Sequence, residues 1–224
     1  MAHLKTPTAD IALDTAEKIA EGNDSHVYLC GGDVYKEYLR LSFEQVDRYA
    51  SLVNEAVAVI ERLGYGGHIR VDGVGYDLHF KGLAARAVGV GPRGRALIRS
   101  EFIPHPNLDK LTQRPEHFAK YPLDRVPSRE DRDFFRRLNQ LFYEEMPTRV
   151  QDEFHYHVDI ISRLLDRELG VFGVYIGKYN AKILPDLDAR RLTLLVTDLA
   201  VYLERLTLPD SGLTAEDSYD LKTG

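Results

Sequence analysis

Gly173-Val174-Tyr175-Ile176-Gly177-Lys178-Tyr179-Asn180-Ala181-Lys182-Ile183-Leu184, followed after a short turn by Leu192-Thr193-Leu194-Leu195-Val196-Thr197-Asp198-Leu199-Ala200, is the stretch that decides how this chain reads. Ala181–Leu184 and Leu192–Val196 are strand-like apolar runs. Pro185-Asp186-Leu187-Asp188 between them suits a hairpin turn. A helix over 149–169 precedes them. Its stripe is Phe154, Val158, Ile161, Leu164 and Leu165, capped by Thr148 with Gln151 and ended near Gly170. Before that, Ser128 caps a helix with Phe134, Phe135, Leu138, Leu141 and Phe142 on one side.

Further toward the N-terminus the pattern changes to β. Glu17–Glu21, Ser25–Cys30 and Asp33–Tyr38 are separated by Gly22-Asn23-Asp24 and Gly31-Gly32-Asp33. Paired glycines between apolar runs signal a hairpin, because both accept positive φ. Val46, Tyr49, Ala50, Val53, Ala56, Val57, Ile60 and Leu63 then recur at helical spacing, and Gly64 stops the run. Ser42 with Gln45 forms its capping box. Residues 64–95 are glycine-rich, with strand-like segments at 68–72 and 74–80 and a tip at 89–94. Ala96–Ile103 reads as a buried strand ended by Pro104 and Pro106. Residues 104–127 hold five prolines and little periodicity, and read as a linker.

Composition sets broad limits. Hydrophobic residues are 44% and charged residues 29% of 224, an ordinary globular balance. The formal charge of −6 argues against a general nucleic-acid binder. No apolar run reaches the length of a membrane span. Cys30 is the single cysteine, so neither an internal disulfide nor a cysteine metal cage is available. The polar start lacks the apolar core of a secretory signal, and the default expectation is a cytoplasmic protein without membrane association. His155-Tyr156-His157 is no metal clip, since residues two apart on a helix point to different faces.

The order of elements resembles the protein kinase fold, and single residues match its motifs. Glu21–Tyr28 looks like a worn glycine-rich loop that keeps Gly22 and Val27, although the same residues suit an ordinary hairpin turn. Val34-Tyr35-Lys36 looks like the strand carrying the phosphate-pairing lysine. Glu55 lies 19 residues later (55 − 36), where that lysine's partner is expected, but off the main apolar stripe of its helix. Ala96–Pro104 looks like the last strand running into a hinge, which assigns Glu101 and Ile103 to the adenine edge through their backbones. The stretch quoted first looks like the catalytic loop, its hairpin and the metal-binding aspartate. The resemblance thus makes Asn180 and Asp198 the magnesium ligands, and Gly22, Val27, Val34, Lys36, Glu55, Glu101 and Ile103 the nucleotide-binding residues.

The departures from that pattern are as informative. Tyr175 stands at the catalytic-base position, and a phenol with an ordinary pKa near ~10 is a poor proton acceptor at neutral pH. Lys182 stands where an apolar residue floors the adenine. Only 26 residues (224 − 198) follow Asp198, which leaves the resemblance no room for a peptide-substrate platform. The expectation is an α+β, bilobal, protein-kinase-like fold. It divides into a leader (1–15), a β-rich N-lobe (16–103), a hinge or linker (104–127), a reduced helical C-lobe (128–208) and a polar tail (209–224). The expected function is that of a pseudokinase serving as a regulatory or interaction module, with ATP and Mg2+ as cofactors either kept or lost, and with a protein partner or a small-molecule substrate. The alternative is an ATP-dependent phosphotransferase on a small molecule with a non-standard base.

Overall fold

Local turn chemistry builds the first sheet. β1 (Glu17–Glu21), β2 (Ser25–Cys30) and β3 (Asp33–Tyr38) form antiparallel neighbours, and Gly31 and Gly32 join the last two at φ 60 and 86, the left-handed conformation the two-residue turn requires. The computed structural model describes residues 8, 13–21, 25–144, 148–169, 173–176, 181–197 and 199–202. They fall into two compact units. The first contains the described residues up to Val57, those of Leu83–Phe102, and those from Ala200 onward. The second contains Ala58–Gly82 and the described part of Ile103–Leu199.

In the first unit, α1 (Phe43–Leu63, its last turns belonging to the second unit) starts on a reciprocal cap. The Ser42 amide donates to Gln45 Oε1 at 2.8 Å, and the Gln45 amide donates to Ser42 Oγ at 3.3 Å. Gly64, at φ 54, donates back to the Ile60 carbonyl and ends the helix. β6 (Arg86–Val90) and β7 (Ala96–Glu101) complete a sheet of order β1-β2-β3-β7-β6. Tyr38, Val46, Ala50, Ala96 and Ile98 bury the α1 face of this sheet, and Leu13, Tyr28 and Leu97 bury the other. Burying each large apolar side chain contributes roughly 1.5–3 kcal/mol. The expected strand pair 25–30/33–38, and the packing of the 43–63 helix on it, are both present.

The second unit holds a mixed sheet. β4 (Gly66–Val71) and β5 (Val74–Gly82) form a hairpin, and β9 (Lys182–Asp186) and β10 (Arg191–Val196) form another. The order is β4-β5-β10-β9, with β10 parallel to β5. The expected 181–184/192–196 hairpin is therefore half of a larger sheet. Its turn lies later than expected, because Pro185 is inside β9. An edge strand tolerates proline there, since the outer amide has no ladder partner to lose. α4 (Arg129–Glu144) and α5 (Thr148–Leu169) pack beside the β4–β5 hairpin. Arg137 grips Asp72 through two parallel bonds of 2.9 and 2.8 Å, and Glu153 accepts from the Arg70 amide. Gly67 is required by a close approach: a Cβ there would stand 2.2 Å from the His157 ring, whose Nδ1 shares a 2.9 Å hydrogen bond with Tyr65. β8 (Gly173–Ile176) and β11 (Leu199–Tyr202) are short.

Two expected boundaries change. Residues 58–82 belong with the second unit rather than with a continuous 16–103 lobe, because β5 finds its parallel partner in β10. Residues 104–127 are not a plain linker. They contain α2 (Leu108–Leu111), α3 (Pro115–Phe118) and a 3-10 turn at Leu123–Arg125, and they bury Leu108, Leu111, Phe118, Leu123 and Val126. Asn139 of α4 donates to the Leu111 and Gln113 carbonyls and anchors this segment. Proline density hid helices too short to show periodicity.

Candidate nucleotide-site residues

Strand register sets the first group. Val27 pairs with Lys36, and Lys36 pairs with Ile98, so the three form one row across β2, β3 and β7. Residues directly opposite in a sheet share a face. Ile98 lies in the core cluster with Val46 and Ala50, so the row faces α1. Val34, two residues before Lys36, shares that face. The Lys36 ammonium lies 5.1 Å from the centre of the Tyr38 ring, within cation–π range.

Glu55 does not join this row. Its side chain is exposed and makes no ion pair among the described residues. The neighbouring residue is the one held. Asn54 Nδ2 donates to the Ala85 carbonyl at 2.7 Å, and the Ala85 amide donates to Asn54 Oδ1 at 3.0 Å. This two-point clamp agrees with the rotation that buries the Val46, Ala50, Val53 and Ala56 stripe and leaves Glu55 outside. The sequence signal for it was the polar Asn54 inside an apolar helix, overshadowed by the carboxylate beside it.

The hinge candidates lie at the end of β7. Glu101 is exposed and pairs across the ladder with Asp33, and the Phe102 amide donates to the Gly32 carbonyl. Ile103 begins the second unit. Its carbonyl accepts a 2.8 Å hydrogen bond from Lys182 Nζ, which also donates to the His105 carbonyl at 2.6 Å. The segment runs on against β9: Asn107 bridges Lys182, and the Leu108 amide donates to the Ala181 carbonyl at 2.9 Å. Burial pulls the Lys182 ammonium down to about 8. Among the described residues no carboxylate answers its charge; the two carbonyl dipoles do. His105 is pushed down to about 4, first by burial and then by the Lys182 charge, and its Nδ1 is buried with no hydrogen-bond partner among the described residues.

A second buried charge, Glu37, was not anticipated. Its side chain is fully buried next to Lys36, on the opposite face of β3. Arg95 Nη1 donates to its Oε2 at 3.4 Å, with Arg93 Nη1 at 3.6 Å and His26 Nδ1 at 3.5 Å from the same oxygen. Arg93 also donates to the Tyr28 hydroxyl at 2.7 Å.

Tyr175 lies on β8. Gly22, Asn180 and Asp198 lie outside the described residues. Among the described residues no group of three or more His, Cys, Asp or Glu side chains is placed to hold a metal, and no helix is long and apolar enough to cross a membrane. No family model matches the chain, and no curated protein or solved structure matches it.

Proposed function

We propose that this chain is a protein-kinase-like pseudokinase, a regulatory or interaction module that keeps the layout of a nucleotide site without its catalytic base. The observation that carries the reading is the Val27–Lys36–Ile98 row facing α1, with Glu55 turned into solvent. The row is the arrangement the resemblance implies for the loop valine and the phosphate-pairing lysine. Glu55, exposed, is not in the position the resemblance gives to the carboxylate facing that lysine in an active kinase. Tyr175 at the base position adds to this, since a phenol does not take a hydroxyl proton readily at neutral pH. The helix after β3, β7 running into Phe102–Ile103, and the β9–β10 hairpin follow the same order. Asn180 and Asp198 are the residues that would hold magnesium on this reading.

The alternative, ATP-dependent transfer to a small molecule, draws on the retained Lys36, Asn180 and Asp198. Phosphoryl transfer rests largely on positioning and electrostatics, so a weak base does not by itself abolish it. A radiolabelled-phosphate assay separates the two, using general protein substrates, the chain itself and a panel of small metabolites. We expect no labelling. Labelling of a protein substrate that disappears in Lys36→Ala or Asp198→Ala would overturn the pseudokinase reading. Labelling confined to one metabolite would establish the alternative.

A further inference from the structure

We propose that Lys182 is a built-in occupant of the adenine position, its ammonium taking the Ile103 carbonyl, one of the backbone groups that a 6-aminopurine would otherwise use, together with the neighbouring His105 carbonyl. This inference rests on the kinase-like reading of the Ala96–Pro104 segment. On that reading the 6-amino group of adenine is a hydrogen-bond donor to a hinge backbone carbonyl, and the ring rests on an apolar side chain from the strand after the catalytic loop. Lys182 replaces that apolar side chain, and its own N–H groups reach the Ile103 and His105 carbonyls at 2.8 and 2.6 Å. One side chain thus fills the floor and mimics the amine.

Three further observations make the contact a built one. The segment is held at the right distance by backbone, through the Asn107–Lys182 bridge and the bond from the Leu108 amide to the Ala181 carbonyl. Asn107 then caps α2, accepting from the Lys110 amide, so the stretch that carries the two carbonyls continues directly into a folded element. His105 packs edge-on against the buried Phe135, with ring centres 5.7 Å apart, which fixes the second carbonyl. A lysine on flexible chain would find water instead. This one is held in partly buried surroundings, where charged hydrogen bonds are strong and an amine has little reason to leave.

The chemistry is therefore competitive. An aminopurine entering this position would have to displace a charged donor with a neutral one, and would leave a buried ammonium without acceptors. Methionine at 182 restores an unbranched apolar floor of similar length and frees the Ile103 carbonyl. Arginine keeps a charged donor there.

The test is calorimetric titration of the full-length chain with adenosine and with ATP-Mg2+, in wild type, Lys182→Met, Lys182→Leu, Lys182→Arg and Lys182→Met/Lys36→Ala. Circular dichroism and thermal unfolding confirm folding of each. The expected result is at least tenfold tighter adenosine binding in the folded Met or Leu variant than in wild type, and no gain in the Arg variant. Adenosine binding by wild type as tight as by the Met variant would overturn the proposal, as would an absence of gain in both apolar variants. The Lys36→Ala combination keeps the two claims apart. If the Met variant binds adenosine and ATP-Mg2+ equally, whether or not Lys36 is present, Lys182 is the plug but the phosphate half of the kinase-like reading falls.

Discussion

The buried Glu37 carboxylate and the partly buried Lys182 ammonium are handled in opposite ways. Glu37 in the first unit is fully buried and has two guanidinium groups and the His26 ring within 3.4 to 3.6 Å of one oxygen, Arg95 closest. Its other oxygen, Oε1, has no hydrogen-bond partner among the described residues. Lys182 in the second unit has no counter-ion among the described residues but two well-placed carbonyls. The carboxylate has charge compensation with poor hydrogen-bond geometry; the ammonium has good geometry without charge compensation. Formal charges act over several ångströms, so Glu37 tolerates loose contacts. Carbonyl dipoles act only at contact, so Lys182 must be held close, and the backbone ties around Asn107 and Leu108 do that.

The largest expected effect tests the Glu37 side. Replacing both Arg93 and Arg95 by alanine leaves the carboxylate buried against His26 alone. Losing the partners of a buried charge costs about 3–5 kcal/mol. Urea denaturation at neutral pH should show a loss of that order for the double variant, with less for either single change, because each arginine is partly exposed and already well solvated. A loss below about 1 kcal/mol would mean that the two arginines do little to hold the buried carboxylate, and the contrast with Lys182 would collapse.

Lys182 is tested by pH. Its folded pKa of about 8 lies below its ordinary value of 10.5, so between those values the unfolded chain holds a proton that the folded chain has released. Stability contributed by this group therefore rises with pH across that window, by about 3 kcal/mol at most, and is flat below it. Wild type minus Lys182→Met, followed by denaturation from pH 7 to 10.5, should isolate this slope. A flat difference would show that the carbonyls fully offset the burial. The same variant sharpens the reading of His105. Its pKa should rise from about 4 by NMR titration but stay below the usual histidine range, because burial is the larger cause and the Lys182 charge the smaller.

The smallest effect is a surface contrast to both. Ser42→Ala removes one half of the reciprocal cap on α1 and should cost about 1 kcal/mol, read from the shift in denaturation midpoint. If this exposed cap proved worth as much as the Arg93/Arg95 pair, burial would not be what sets the scale of the charged contacts.

What the sequence determined by itself was local. The Gly31-Gly32 turn, the Ser42/Gln45 cap, the Gly64 stop and the bounds of α1 depend on residues within four positions of one another, and all appear as read. The row of Val27 and Lys36 was legible for the same reason, since a two-residue hairpin sets its own register. Tertiary structure decided the rest. The parallel pairing of β10 with β5 joins residues far apart in the chain and moves 58–82 into the second unit. Asn54 finds its two-point partner in Ala85, 31 positions away, whereas the outward Glu55 agrees with its place off the apolar stripe of α1. Lys182 reads in sequence as a misplaced lysine in an apolar strand. It becomes a pair of specific hydrogen bonds only when the fold brings the Ile103 and His105 carbonyls to it from 79 and 77 positions away. Local rules carry no information about such partners, because the backbone groups that satisfy a buried charge have no side-chain identity to read.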